Sequence, residues 1–242
     1  MTDDIERMLE EQSRYYEERA PEYEDVWYRR GPYDMGPEAN VRWFEEVERL
    51  EAALDAFDAS GDVLELACGT GLTTRRLAPR AASLMAMDGS PAVLEINREL
   101  TADPSVEYVQ ADLFSWEPPA GRRFDEIVFT FFLSHVPPER SAQFWARLAR
   151  WLAPGGRVFF TDDARSHVPR PSNPGRQSED GPAFAHRRRL RDGREFTIVK
   201  VFYTPVSIAE QLDELGWDVQ AATTGNEFIY GTATPRAGRG WG

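Results

Sequence analysis

The strongest constraint on the fold is an alternation that runs from Val63 to about Asp162. Short apolar runs, VLELA, SLMAMD, VEYVQAD, FDEIVFTFF and RVFFTDD, are separated by the amphipathic stretches TTRRLAPR, SPAVLEINRELT and ERSAQFWARLARWL. Apolar runs of this length suit strands buried on both faces, and the stretches between them are long enough to cross back over a sheet as helices. Repeated strand, helix, strand units imply a parallel sheet with right-handed crossovers. The segment Ala153 to Gly156, APGG, reads as a helix stop feeding the next strand. At 242 residues the chain suits one such domain with appendages.

The first of these strands carries an oddity. An acid, Glu65, interrupts VLELA, and the strand runs into a turn holding Gly69 and Gly71. In an open parallel sheet ligands bind beyond the carboxyl ends of the strands, and residues without a Cβ let the backbone turn sharply and approach them. A phosphate-binding loop requires a Gly-Lys-Ser/Thr ending, which does not follow here. A dinucleotide fingerprint requires Gly or Ala where Thr74 stands, and it would set Glu65 uncomfortably near a pyrophosphate. A cofactor with a cationic end, an adenosine and no phosphate fits the acid instead.

The stretch VLELACGTGLTTRRL resembles the first motif of the class I S-adenosylmethionine-dependent methyltransferases, small-molecule type, with Ala67 in place of a common glycine. The likeness continues in order. MAMDGSP puts Asp88 where the family accepts both ribose hydroxyls, a match between two carboxylate oxygens and a vicinal diol. VQADLFSW puts Asp112 and the Leu113 amide where it reads adenine. FDEIVFTFFLSHVP and LARWLAPGGRVFFTD match the fourth strand and the helix, turn and strand that follow. The resemblance implies an α/β fold with a Rossmann-like, seven-stranded, mostly parallel sheet, helices on both faces and an antiparallel last strand. It implies S-adenosylmethionine as cofactor and S-adenosylhomocysteine as product, with Tyr16, Glu65, Ala67, Gly69, Gly71, Asp88, Gly89, Asp112, Leu113 and Thr130 as cofactor-binding residues. Local alternatives exist for two of these: Asp88 as a helix N-cap before Ser90 and Pro91, and Asp112 as the cap of a turn. Cys68 reads as a small buried hydrophobe.

Outside that region the chain supplies a cap. Asp3 to Arg19 is charged and helix-forming, with Pro21 ending it. Val41 to Phe57 carries Trp43, Phe44, Val47, Leu50, Leu54 and Phe57 at helical spacing. SRYYEERAPEYEDVW resembles the leading helix of small-molecule members, which closes over the cofactor; Tyr15, Tyr16, Arg19 and Tyr23 are its lid candidates, or else packing residues. Residues 1–60 are expected to form this helical cap, 61–235 the core, and 236–242 a disordered tail. Residues 164–195 are an insertion on the substrate side, in which AHRRRL and REFTIVKVFY flank a hairpin turn at Asp192 and Gly193. In a strand, Arg187 and Arg189 would face one way and Arg188 the other.

His135, after the fourth strand, is the candidate base or substrate-orienting group among three histidines, the other two being His167 and His186; its bland reading is a helix-start residue that shapes the pocket. Aromatic residues Trp27, Tyr28, Tyr33 and Trp43 could wall a pocket for a planar or apolar acceptor, and the basic run could attract an anionic group on it. With 28 Lys and Arg against 41 Asp and Glu, the net charge of −13 repels phosphate backbones, and TFFL replaces the NPPY-like tetrapeptide of relatives that methylate planar-base amines. A nucleic-acid partner is therefore not expected. A polar N-terminus, no membrane-length apolar run and one cysteine argue for a cytoplasmic protein without membrane, disulfide or cysteine-zinc chemistry. The expected activity is methyl transfer to an O, N, S or C atom of a small molecule, with no metal. A catalytically silent S-adenosylmethionine-binding subunit and an NAD-dependent oxidoreductase are the rivals.

Overall fold

The computed structural model describes residues 2–164, 176–177 and 182–238. His167 lies outside them, as does the end of the tail, residues 239–242.

The alternation produces a seven-stranded sheet in the order β3-β2-β1-β4-β5-β10-β9. Its strands are β1 (Asp62–Leu66), β2 (Ser83–Asp88), β3 (Val106–Gln110), β4 (Phe124–Thr130), β5 (Leu152–Asp163), β9 (Trp217–Thr223) and β10 (Phe228–Pro235). Neighbours pair in parallel from β3 to β5, while β10 runs antiparallel to both β5 and β9. The expected Rossmann-like sheet with an antiparallel last strand is what the chain forms. Strand order reverses between β1 and β4, the position at which open α/β sheets leave a crevice.

Period-two alternation divides the core. Leu64, Leu66, Ile127 and Phe129 face α6 (Pro138–Trp151) and α7 (Pro205–Glu214), meeting Trp145, Leu148, Ile208 and Leu212. Val63, Ala86 and Val128 face the other way, onto Leu54 and Phe57 of α3 (Pro37–Phe57), Leu77 of α4 (Thr74–Leu77) and Leu94 of α5 (Pro91–Thr101). Helices therefore cover both faces. Along α3 the apolar stripe differs from expectation at one place: Phe44 is 39% exposed and Glu46 is buried instead. Glu46 accepts hydrogen bonds from the Thr224 hydroxyl and the amides of Asn226 and Glu227, clamping the β9–β10 turn onto the helix. Those bonds compensate for its desolvation.

The second sheet is small and antiparallel: β6 (Arg176–Gln177), β7 (Ala185–Arg189) and β8 (Glu195–Val199), with Gly193 at φ 94° in the β7–β8 turn. The outer edge of β8 is covered by α1 (Thr2–Arg19): Glu11 accepts from Thr197 N–H and Gln12 from Val199 N–H. Side chains thus satisfy an edge that would otherwise invite another strand. Met8 and Tyr15 pack on the hairpin, and Arg191 and Arg194 form ion pairs with Glu22, Asp25 and Glu18 of the N-terminal segment. Arg187 and Arg189 are exposed and Arg188 is buried, the division that strand geometry dictates. Of the tail, Arg236 is held by Asp213 and Asp218.

Candidate active site

A cavity of about 430 Å³ opens over the carboxyl ends of β1, β2, β3 and β4 and beneath α1 and α2 (Tyr23–Trp27). Its wall includes Tyr16, Ala67, Gly69, Asp88, Gly89, Asp112, Leu113, Thr130 and His135. Nine of the eleven residues singled out in the sequence therefore meet in one place. Glu65 and Gly71 do not reach the wall.

Each departure has a local cause. Gly71 sits at φ 93°, and a Cβ there would come within 2.5 Å of Asn97 Oδ1, so this glycine is needed for the approach of α5. Gly69, at φ 55°, has nothing within 4 Å of where a Cβ would project. Glu65 lies under the turn, accepting from the Thr74 hydroxyl at 2.7 Å through Oε2, while Oε1 has no partner among the described residues. Burial, opposed by the Thr74 bond and assisted by Asp88, pushes its carboxyl up to about 8. Thr70, on the cavity wall, has a buried hydroxyl that is also unpartnered among the described residues.

Asp88 ends β2. Its Oδ2 accepts from Gly69 N–H at 3.1 Å and its Oδ1 from Ser90 N–H at 3.0 Å, so the carboxylate fixes the glycine turn. Burial raises its pKa against those bonds. The N-cap of α5 is Ser90, whose hydroxyl accepts from Val93 N–H; Asp88 is not the cap. Asp112 does cap a turn, accepting from Phe114 N–H at 3.1 Å through Oδ1 alone. Ala67 holds φ 50°, the left-handed region. There an alanine is strained where a glycine is not, so this departure from the family pattern is more than a change of size.

At the other end of the cavity, β4 runs into a short turn, Leu133–His135. Phe131, at φ 56°, begins it and packs against Trp27 and Phe228. His135 is 5% exposed. Its Nδ1 lies 2.7 Å from Val199 O, and a carbonyl only accepts, so Nδ1 carries the hydrogen. Nε2 is left as an acceptor for the Tyr16 hydroxyl at 2.7 Å. Burial, reinforced by Lys200, holds the imidazole well below its usual pKa, and burial holds the Tyr16 phenol far above its own. The pair is neutral, with one direction of hydrogen bonding.

Sequence reasoning missed what supports this pair. Lys200, 4% exposed, donates to Ser134 Oγ at 2.8 Å, Asp162 Oδ1 at 3.1 Å and Asp163 Oδ2 at 2.8 Å, and Asp162 Oδ2 accepts from Ser134 N–H. This network locks the turn bearing His135 to β5 and to the end of the hairpin. A lone lysine inside the apolar run FTIVKVFY, with adjacent acids ending β5, was the available signal. Gln12 adds a bridge, accepting from Val199 N–H while its amide donates to His135 O at 3.4 Å. Among the described residues no group of His, Cys, Asp and Glu is arranged to hold a metal, and no helix is long and apolar enough to cross a membrane.

Comparison with known proteins agrees with this geometry. A methyltransferase-domain family model matches residues 63–156. A demethylmenaquinone methyltransferase of Clavibacter sepedonicus is 35% identical over 108 residues, 44% of this chain and 43% of that protein. A ubiquinone biosynthesis O-methyltransferase of Pseudomonas fluorescens (strain SBW25) is 32% identical over 133 residues, 53% of this chain and 52% of the relative. The chain thus spans about half the length of these curated relatives. The solved DhpI-SAM-HEP complex matches nearly throughout, at 36% identity, 95% of this chain, 98% of that one and a TM-score of 0.74. The chain belongs to the class I S-adenosylmethionine-dependent methyltransferases.

Proposed function

We propose that this protein transfers the methyl group of S-adenosylmethionine to an acidic hydroxyl of a small planar or apolar acceptor. The observation that carries the reading is the Tyr16–His135–Val199 chain at the cavity's aromatic end. The other end fits the cofactor: Glu65 Oε1 and Thr70 Oγ1 lack partners beside the glycine turn, and that turn presents open backbone at Gly69. Asp88 would hold the ribose and Asp112 and Leu113 the adenine, with Ala67, Gly69, Gly89 and Thr130 as the surrounding wall and Glu65 beneath the turn, bracing it through Thr74. When bound, S-adenosylmethionine would supply an electrophilic methyl group for in-line transfer to an acceptor lone pair, with S-adenosylhomocysteine as the leaving thioether.

The protein's share is alignment, exclusion of water and one proton. Because Nε2 of His135 already accepts from Tyr16, the acceptor's proton passes to the Tyr16 oxygen as the Tyr16 proton passes to Nε2. The Val199 carbonyl keeps the ring in the tautomer that allows this. A buried histidine with a lowered pKa is a weak base, which suits a hydroxyl whose proton is labile, such as a phenol, better than an alcohol. Tyr23, Trp27, Phe131 and Phe132 supply aromatic wall for such a ring. Residues 1–60 with the hairpin would serve as cap over a 61–235 core, in a cytoplasmic setting where buried Cys68 stays a thiol.

The test is calorimetric titration with S-adenosylmethionine and S-adenosylhomocysteine, NAD serving as control, followed by labelled methyl transfer to a panel of small phenols. Saturable binding of the first two and transfer to a phenol are expected. Binding of NAD alone would overturn the cofactor, and binding without transfer to any acceptor would favour the silent-subunit reading.

A further inference from the structure

We infer that Arg147, a residue outside the cavity, is a positioning residue that sets the protein's selectivity for the adenine of its cofactor. The inference rests on the cofactor reading above. Arg147 projects from α6 and is 5% exposed. One Nη donates to the carbonyls of Leu113 and Phe114, the other to that of Trp116, and Nε faces the Glu117 carboxylate at 3.3 Å. Four groups of a single loop thus converge on one guanidinium. Arg150 and Trp151 hold Glu117 from the same helix.

Accounting for the rest of that loop shows what the convergence leaves over. The amides of Ser115 and Trp116 donate to Asp112 O, and the Phe114 amide donates to Asp112 Oδ1. The Leu113 N–H donates to no group among the described residues, and Asp112 Oδ2 accepts from none. The loop therefore spends its carbonyls on Arg147 and its other amides on Asp112. One donor and one acceptor remain side by side on the cavity wall, the pair that an exocyclic amine next to a ring nitrogen satisfies. Without the guanidinium, three carbonyls lose their donor and the loop must turn toward water, taking this pair with it.

The experiment compares binding of S-adenosylhomocysteine with that of S-inosylhomocysteine, in which a carbonyl replaces the amine. The parent protein should prefer the adenine ligand by about 10- to 100-fold. In Arg147→Met that ratio should fall toward one, and in Arg147→Lys, which keeps the charge but not the fork, it should fall part of the way. Ethylguanidine added to Arg147→Ala should restore it. A substitution that only loosened the fold would weaken both ligands equally, so an unchanged ratio in Arg147→Lys and Arg147→Met overturns the inference. Asp112→Ala, run in parallel, separates the two claims: a parent-like ratio there removes Asp112 from base recognition, and a lost ratio there beside an intact one in Arg147→Met removes Arg147.

Discussion

At one end of the cavity Asp88 reaches Gly69 across 19 residues and Thr74 reaches Glu65 across nine; at the other, Tyr16 reaches His135 across 119 and Gln12 reaches Val199 across 187. The end proposed for the cofactor is assembled by two strands, one turn and the helices beside them, so forming the core sheet also forms that end of the cavity. The end proposed for the acceptor exists only when α1 and the hairpin have both docked, and its bonds are made by side chains. Local bonds close short loops at low entropic cost, whereas the distant ones depend on every packed element between them. The first end should be rigid and robust, and the second conditional.

Lys200→Met is the harshest test of that division. It leaves Asp162, 1% exposed, as a buried charge without its partner, and breaking such a pair costs about 3–5 kcal/mol. The loss should register in urea unfolding. Hydrogen exchange should show the hairpin and α1 opening first while β1, β2 and β4 stay protected. Lys200→Met combined with Asp162→Asn should recover part of the loss. Uniform loss of protection across the main sheet would show that the two ends are not separable.

The next effect is on turnover. His135→Ala and Tyr16→Phe should each lower it by about 100-fold, at the low end of general-base contributions, with little change in cofactor affinity. Weakened cofactor binding in Tyr16→Phe would return Tyr16 to the cofactor, as its family position implies. The acid limb should lie low, because His135 stays neutral in the fold well below 6.5. The sign for stability follows. Below 6.5 the unfolded chain binds a proton that the folded chain refuses, so the stability due to His135 is full above that pH and is lost progressively as pH falls from there through the lowered folded value. An activity limb centred near 6.5 would mean that His135 is solvated during turnover.

The fold was legible because burial writes itself into period. Val63 to Asp162 could satisfy its pattern only as strands and helices, and the hairpin followed from Asp192 and Gly193. The gathering of Ala67, Gly69, Asp88 and Asp112 on one cavity wall was legible for the same reason, being carried by consecutive motifs. Lys200 with Asp162, Gln12 with Val199, and Arg147 with its loop were not, since a side-chain bond between distant elements leaves no periodic trace. Gly71 and Glu65 lie off the cavity wall for a different reason. Spacing placed them next to the turn, but whether a residue points into a cavity or under it depends on Asn97 and Thr74, which arrive from α5 and α4.

Asp88→Ala comes next in size. It removes a carboxylate that orders the Gly69 and Ser90 amides and would bind the ribose diol, so cofactor affinity should fall by about 1.5–3 kcal/mol. Asp88→Asn keeps an acceptor and should fall less. Unchanged affinity in both would take Asp88 out of the site and leave it as a brace for the turn.

The smallest effect is also the most local. Ala67 adopts φ 50° inside the turn, a conformation that costs an L residue about 1–2 kcal/mol. Glycine would relieve that strain but adds freedom to the unfolded chain, so Ala67→Gly should raise stability by only about 0.5–1 kcal/mol. Because Asp88 and Asn97 hold the neighbouring Gly69 from both sides, the backbone path should not change, and cofactor affinity should stay the same. Paired urea titrations with and without S-adenosylhomocysteine would show both. A gain in stability with equal ligand stabilisation means the cofactor end is held by its hydrogen bonds, with the strain at Ala67 incidental. A loss of affinity would mean that the alanine methyl on the cavity wall is itself part of the binding surface.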